Sequence, residues 1–433
     1  MKLVLGLGIT GLSIAQFLSK EKIDFKLADS RKNPPMLGQY SEDFEENPAI
    51  LGAWDIELLS DVDEVFISPG IASTQKIVVW ANEKNIPIVS DIELFSRYAK
   101  APIVGITGSN GKSTVTELLG EMINLSGKVA QVGGNIGKPA LDCLNEGVDY
   151  YVLELSSFQL DYTSELKLFT GVVLNITPDH LDRYPSFDDY VDSKLKLYKF
   201  CKHLVVNLDE PLTPKKSCAK HFGINLPKRD EDFGTVTCHG SCFIIKGDEV
   251  LMSVNEMQLI GEHNVANMLA ALSLGDQLKL PMESMVECIK RFQGLEHRLE
   301  WVGKKAGIDY YNDSKATNAI STIKALKALI NRHTNITLIA GGIAKKEDYS
   351  QMFDLIERDV SSVVLIGQSA KTFANQIKKA QVSIADSMNE AVRIASSTMN
   401  DGVVVLSPAC ASFDMFDNFE HRGAEFKRCV ASL

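Results

Sequence analysis

Short apolar runs rich in β-branched residues recur along the chain, and between them the apolar positions fall at helical spacing. KLVLG, FKLAD, DEVFISPG and IPIVSD mark the stretch from Met1 to about Asp91. APIVGI, YYVLELSSF and GVVLNIT follow in the middle, and IDYYN, ITLIAGG, SVVLIG and GVVVLSPA come after about Leu299. Runs of this length, bounded by Gly, Pro, Asp or Asn, read as buried strands, and their alternation with helical segments predicts parallel sheets covered by helices. The chain shows no solenoid-type period and no low-complexity linker. At 433 residues it is too long for one core, and three domains are expected, at 1–91, 92–296 and 297–433.

The most informative loop lies in the second segment. APIVGI leads into GITGSNGKST (Gly105 to Thr114), and VTELLGEMINLSG continues at helical spacing, so a glycine-rich turn sits between a strand and a helix N-terminus. There the unpaired N–H groups and the positive end of the helix dipole face an anion. Gly108 and Gly111 admit close backbone approach, and Lys112 can reach terminal phosphates. Ser113 or Thr114 can offer a hydroxyl to Mg²⁺. The common nucleotide loop has glycine where this chain has Ile106, with Gly105 one residue earlier.

Other polar residues gather at strand ends. Glu154 and Ser156 close one run, and Asp179, His180 and Asp182 follow another, where open α/β sheets bind ligands. A carboxylate and an imidazole beside a triphosphate can hold magnesium. Asn264 and Asn267 in GEHNVANMLAALSL share one helix face and either read a base edge or cap and decorate the helix. The first segment carries GLGITG (Gly6 to Gly11) after a strand, with Asp29 near the end of the next one, about where a ribose-binding acid would be. That pattern fits a dinucleotide, a UDP-sugar, or tight strand-to-helix packing alone. In the last segment, NDSKATN, GGIAKK and SPACASFDMFDNFEHRG concentrate lysine, threonine, serine and arginine in loops suited to an anionic substrate.

Charge narrows the partners. With 45 basic and 56 acidic residues the net charge is −11, which argues against a general nucleic-acid surface and leaves room for a local basic pocket. No apolar run reaches the ~18 residues of a membrane span, and MKLVLGLGITGLSIAQ enters the strand–helix pattern without a cleavage site. No membrane insertion and a cytoplasmic location are expected. The eight scattered cysteines do not resemble a disulfide framework. Cys238-His239-Gly240-Ser241-Cys242 lacks a second ligand pair for zinc and reads as part of a hairpin.

Read in order, GITGSNGKST, GGNIG, LELSSFQL, NITPDHLDRY, GEHNVAN, HRLE, NDSKATN and LSPACASFD resemble the Mur ligase family over essentially the whole chain. The resemblance is greatest to members that join D-glutamate to UDP-N-acetylmuramoyl-L-alanine in peptidoglycan synthesis. It implies an α/β fold of three domains: an N-terminal Rossmann-like UDP-binding domain, a central P-loop ATPase-like domain and a C-terminal Rossmann-like domain. Matching motif to motif, it implies nucleotide-sugar contacts at Ile9, Thr10, Ser30, Arg31, Ser68, Pro69, Gly70, Asn135 and His180. It places ATP on Ser109, Asn110, Gly111, Lys112, Ser113 and Thr114, with Asn264 and Asn267 at adenine, Arg298 at the phosphates and Asp313 at the ribose. Ser113 and Glu154 would serve one Mg²⁺, and His180 with Lys194 a second, Lys194 carrying a carbamate as the matching lysine does in the family. Lys315, Thr317, Lys345, Ser412 and Phe419 match the pocket for D-glutamate and the acyl phosphate. Lys112, His180, Lys194, Arg298 and Lys315 are the expected catalytic set. A monomer is expected, with closure of the last domain near residues 295 to 300.

Three rivals are weighed. Another Mur-type or folylpolyglutamate-type ligase would share the ATP loop. The diamino-acid-adding members carry a D-N-P-type motif that is not found here, the alanine-adding member has a histidine-rich segment in place of NDSKATN, and the folate enzyme would not open on GLGITG and SPGI. An NAD-dependent dehydrogenase explains GLGITG and leaves GSNGKST and NDSKATN without work, and a regulatory ATP-binding module without ligase chemistry is the remaining rival.

Overall fold

The computed structural model describes the chain except residues 180–182, 215, 226, 260, 331 and 346. It divides into two compact units, one of residues 1–257 with 262–291 and one of residues 258–261 with 292–433.

The first unit holds two sheets. Strands β1 (Lys2–Leu5), β2 (Phe25–Asp29), β3 (Ile50–Leu51), β4 (Glu64–Ile67) and β5 (Ile88–Ser90) form a parallel sheet in the order β3-β2-β1-β4-β5. The order reverses between β1 and β4, so the loops after these two strands diverge and leave a crevice at their carboxyl ends. Leu3, Val4, Leu5, Val65, Phe66 and Ile67 are buried to within 1% of full burial or better, as expected for strands covered on both faces. Gly11 lets the helix Ile9–Lys20 start against this turn, because a Cβ there would run into the Gly6 carbonyl.

The second sheet has nine strands: β6 (Ile103–Thr107), β7 (Ala130–Gly134), β8 (Tyr150–Glu154), β9 (Leu168–Val173), β10 (Cys201–Asn207), β11 (Lys220–Phe222), β12 (Phe233–Cys238), β13 (Ser241–Lys246) and β14 (Glu249–Ser253). From one edge they run β7-β8-β6-β9-β10-β11-β12-β13-β14. The β7–β12 neighbours pair in parallel, whereas β12, β13 and β14 pair antiparallel. The order reverses around β6. Its carboxyl end therefore opens between the loops after β8 and β9, the place where such sheets take ligands. Cys238 and Cys242 belong to the β12–β13 hairpin, whose turn residues His239 and Gly240 both have positive φ, 49° and 78°. That is the conformation whose twist matches paired strands.

The two sheets share a polar seam. Ser90 Oγ lies 2.8 Å from Thr163 Oγ1, the Gln159 amide donates to both oxygens of Asp91 at 3.0 and 3.1 Å, and Glu93 accepts from the Ser164 and Glu165 amides. Asp91 is buried with only this neutral donor side chain against it, and burial pushes its pKa up to about 6.

The second unit is a six-stranded sheet of β15 (Glu300–Lys305), β16 (Ile308–Asn312), β17 (Ile336–Gly341), β18 (Ser362–Ile366), β19 (Gln381–Ala385) and β20 (Gly402–Leu406), in the order β15-β16-β20-β17-β18-β19. All pairs are parallel except the edge strand β15. The loops after β16, β17 and β20 leave from neighbouring carboxyl ends. Among the described residues no helix is long and apolar enough to cross a membrane.

Candidate active site

The phosphate-type loop 108–111 joins β6 to the helix Lys112–Leu125. Gly111 caps the helix in the left-handed region at φ 83°, and a Cβ there would strike the carboxamide of Asn267, so both backbone and neighbour require glycine. Ile106, where the common loop has glycine, is buried in β6.

The loop after β9 fastens this turn. Asn175 accepts from the Asn110 amide through Oδ1 at 2.8 Å and donates from Nδ2 to the Asn110 carbonyl at 3.0 Å. Ser109 Oγ donates to the Thr177 carbonyl at 3.0 Å, accepts from the Thr177 amide at 2.9 Å, and lies 2.9 Å from the Tyr190 hydroxyl. GVVLNIT is thus strand only to Val173, shorter than its apolar run suggests, because Asn175 and Thr177 turn to the loop.

Two ammonium groups converge on one carbonyl. Lys112 Nζ donates to Gly108 O at 3.0 Å and Ser109 O at 3.2 Å, and Lys194 Nζ donates to Gly108 O at 3.0 Å. Lys194 is buried on the helix Phe187–Leu195, its ammonium 4.7 Å from the centre of the Tyr190 ring. Burial, and next the positive charge of Lys112, lower its pKa to about 7. Lys196 instead reaches the Asp161 carbonyl, and Lys199 is exposed. The structure therefore sets Lys194 apart from its neighbours.

Oxygen donors begin at Ser113, next to Lys112 in the same helical turn. Ser113 Oγ donates to Glu154 Oε2 at 2.7 Å, and Asn135 Nδ2 donates to Glu154 Oε1 at 2.8 Å. Ser113 and Glu154 are buried, at 3% and 2% exposure, and their hydroxyl and carboxylate oxygens are the hard donors that Mg²⁺ takes. The donor chemistry fits. Lys194 as a free amine does not fit a cation, whereas a carbamate on it would. Thr114 follows in the first helical turn, and Asn267 Nδ2 donates to Asn264 Oδ1 at 3.2 Å on the helix Glu262–Gln277. His180 lies outside the described residues.

At the first sheet, the GLGITG and SPG turns meet: Ser68 Oγ donates to Gly6 O at 3.1 Å. Ile9 and Thr10 begin the helix Ile9–Lys20, and Ser30 and Arg31 leave β2 exposed. Asp29 accepts from the Leu7 amide at 2.7 Å and from the Arg31 guanidinium at 2.9 and 2.7 Å. Burial works to raise its pKa, but the Arg31 fork and the two amides hold it below the ordinary carboxylate value. The acid placed by the sequence where a ribose ligand would stand is thus hydrogen-bonded within its own turn.

In the second unit, the loops after β16, β17 and β20 carry Lys315, Thr317, Lys345 and Ser412, and Phe419 begins the helix Phe419–Ala431. Lys315 Nζ sits 3.8 Å from the centre of the Phe419 ring, and Lys345 Nζ lies 3.5 Å from Thr317 Oγ1. Ser412 is buried in the loop after β20, which pairs with the loop after β17 through Ile343 and Ala411. Ala409 in that loop takes φ 59°, a strained value for a residue with a side chain. Asp313 accepts from Ser407 Oγ at 2.7 Å and from the Leu299 amide at 3.1 Å, and burial pushes its pKa up to about 7. Its carboxylate is thus bound inside the unit, between the fully buried Asn312 and Ser314. Arg422, 1% exposed, donates to Ser314 Oγ, Ser314 O and Cys410 O at 2.8 to 3.0 Å and so ties two of the loops together.

Three family models cover the chain in this order: the Mur ligase MurD-like N-terminal domain over residues 1–90, the Mur ligase middle domain over 106–275, and the Mur ligase glutamate ligase domain over 297–410. The chain belongs to the Mur ligase family. Relatives named UDP-N-acetylmuramoylalanine–D-glutamate ligase are similar from end to end: the protein of Marinobacter nauticus at 42% identity over 100% of this chain and 98% of its own, and that of Nitrosococcus oceani at 41% over 99% and 96%. Among solved structures, the UDP-N-acetylmuramate-alanine ligase of Thermotoga maritima matches 100% of this chain and 99% of its own with a TM-score of 0.62 at 17% identity, a likeness of fold. The Mur ligase middle domain thus spans the phosphate loop, Glu154 and Lys194. Sequence reading did not single out Asn175, Tyr190, Arg183 or Arg422. The first three lie in or just after NITPDHLDRY, whose density of polar residues behind an apolar strand was the available signal.

Proposed function

We propose that this protein is an ATP-dependent amide ligase that adds D-glutamate to UDP-N-acetylmuramoyl-L-alanine in peptidoglycan synthesis. The observation that carries this reading is the end-to-end identity of about two-fifths to relatives bearing that name. The site chemistry agrees with it. A carboxylate is a poor acyl donor, so one oxygen of the terminal L-alanine carboxylate attacks the γ-phosphorus of ATP, ADP leaves, and an acyl phosphate forms. The amine of D-glutamate then attacks the acyl carbon, loses a proton, and inorganic phosphate departs from the tetrahedral intermediate.

Each residue has a task in this scheme. Loop 109–114 binds the phosphates of ATP, and Lys112 follows the charge that builds on the transferred group. Arg298 assists at the phosphates, Asp313 at the ribose, and Asn264 and Asn267 at the adenine. Ile9, Thr10, Ser30, Arg31, Ser68, Pro69, Gly70, Asn135 and His180 hold the nucleotide sugar. Lys315, Thr317, Lys345, Ser412 and Phe419 take D-glutamate, whose two carboxylates suit the two lysines. Ser113 and Glu154 would hold Mg²⁺, with His180 and a carbamylated Lys194 at a second ion. These ions supply positive charge to the phosphates when bound. The three domains 1–91, 92–296 and 297–433 then bind sugar nucleotide, ATP and amino acid in turn. We place the enzyme in the cytoplasm, where nucleotide and amino-acid substrates of this kind are made, and take it to act as a monomer.

Mass spectrometry of the product tests the reading. From UDP-N-acetylmuramoyl-L-alanine, ATP and D-glutamate, the acceptor is expected to gain the mass of one glutamyl residue, and L-glutamate is expected to give little product. An unchanged acceptor mass, or equal use of unrelated amino acids, contradicts it.

A further inference from the structure

The SPG turn after β4 is gripped by a residue of the segment between β9 and the helix Phe187–Leu195 in the same unit. Arg183 Nη1 donates to Gly70 O at 2.9 Å, and its Nη2 donates to Pro69 O and Ile71 O, each at 3.1 Å. The guanidinium lies 4.3 Å from the centre of the Phe158 ring. Phe158 stacks on Tyr184 at 5.9 Å, Tyr184 meets Tyr190 edge-on at 5.4 Å, and the Tyr190 hydroxyl is 2.9 Å from Ser109 Oγ in the phosphate loop. The Tyr184 hydroxyl is fixed in turn by Asp161 Oδ2 at 2.7 Å. One planar cation therefore gathers three consecutive carbonyls, and a row of aromatic rings leads from it to the phosphate loop.

Gathering carbonyls has a consequence for the amides. Each peptide is planar and trans, so its N–H points opposite to its C=O. With the carbonyls of Pro69 and Ile71 turned to Arg183, the N–H groups of Gly70 and Ala72 turn away from it, while the Ile71 N–H between them closes the turn on Ser68 O at 3.0 Å. Two N–H groups turned outward from one turn at the carboxyl end of a parallel strand can receive an anion. A lysine could not reproduce it. Its single ammonium neither spreads over three carbonyls as a fork does nor lies flat on Phe158.

We propose that Arg183 is a positioning residue for the nucleotide-sugar substrate: it orients the turn 69–72 so that its amides receive the anionic part of that ligand, and it keeps the turn in register with the phosphate loop. This rests on the proposed role of Ser68 to Gly70 in binding the nucleotide sugar.

The test compares wild type with Arg183→Ala and Arg183→Lys by steady-state kinetics and by amide hydrogen exchange of the segment 68–73. Arg183→Ala is expected to raise KM for UDP-N-acetylmuramoyl-L-alanine about tenfold or more, with KM for ATP within about twofold, and Arg183→Lys to recover only part of the loss. Exchange of the segment should quicken in both variants while the melting temperature stays within a few degrees. An active Arg183→Ala enzyme with unchanged KM for the nucleotide sugar, or an equal rise for ATP, overturns the role of Arg183 alone. Quickened exchange in the variant, together with a wild type that takes no UDP-sugar, overturns the proposed function and the substrate part of the inference with it.

Discussion

Replacing Lys112 with alanine is expected to lower kcat about a thousandfold or more while leaving the fold in place. The residue starts the helix behind the phosphate loop, and its ammonium rests on the loop's own carbonyls of Gly108 and Ser109 rather than in the core. Removing it deletes no buried packing, so the melting temperature should move by no more than a few degrees. Its charge, however, stands in the first turn of the helix behind that loop, where the transferred phosphoryl group would lie. The neighbouring ammonium of Lys194 is buried and turned to Gly108 O. A thousandfold loss corresponds to ~4 kcal/mol of transition-state stabilisation, in the range of one preorganised charge acting on a developing anion in a site shielded from water. Steady-state phosphate release measures it. Activity within twofold of wild type would remove Lys112 from the chemistry.

Lys194→Ala carries the second largest expected effect, a loss of most activity that short carboxylic acids partly restore. The side chain is 2% exposed and sits between the Tyr190 ring and the Gly108 carbonyl, beside Lys112. Two ammonium groups on one carbonyl repel each other, and a cation placed near them would be repelled as well. Carbamylation reverses that sign. The amine gives its lone pair to CO₂ and releases a proton, which leaves a carboxylate-like group of the kind Mg²⁺ prefers. Formate or acetate added to the alanine variant would occupy the vacated position and supply the missing oxygens. Lys196→Ala and Lys199→Ala should stay near wild type, since one side chain reaches Asp161 and the other is exposed. No rescue by any short carboxylate, together with an unmodified intact mass for the protein in bicarbonate, would return Lys194 to a plain structural lysine.

Much of this site was legible in the chain because its chemistry depends on residue type at fixed spacing. Gly108, Gly111, Lys112 and Ser113 could be read from the strand before them and the helix after them, and the structure puts the loop between those elements. The three-segment alternation of apolar runs likewise matches the three sheets. What stayed hidden depends on burial and on contacts distant in sequence. Lys194, Lys196 and Lys199 look alike in DYVDSKLKLYK, and only packing against Tyr190 and Gly108 separates the first from the others. Asp29 looked like a ribose ligand because of its place after the second strand, yet its oxygens are taken by the Leu7 amide and the Arg31 fork. Asn267, left open between a base edge and helix decoration, packs against Gly111 and pairs with Asn264. Arg183 stands 112 to 114 positions from the carbonyls it gathers, a separation that no local pattern reveals.

The central claim is that cleavage of ATP is coupled to building one amide bond from three substrates whose motifs are spread along the whole chain. Phosphate release from ATP, measured with UDP-N-acetylmuramoyl-L-alanine and D-glutamate each omitted in turn, tests it most directly. Sustained release is expected only when both are present, in equal amount to the glutamylated product. Rapid release with neither present, or turnover of a nicotinamide cofactor by the same protein, would contradict it.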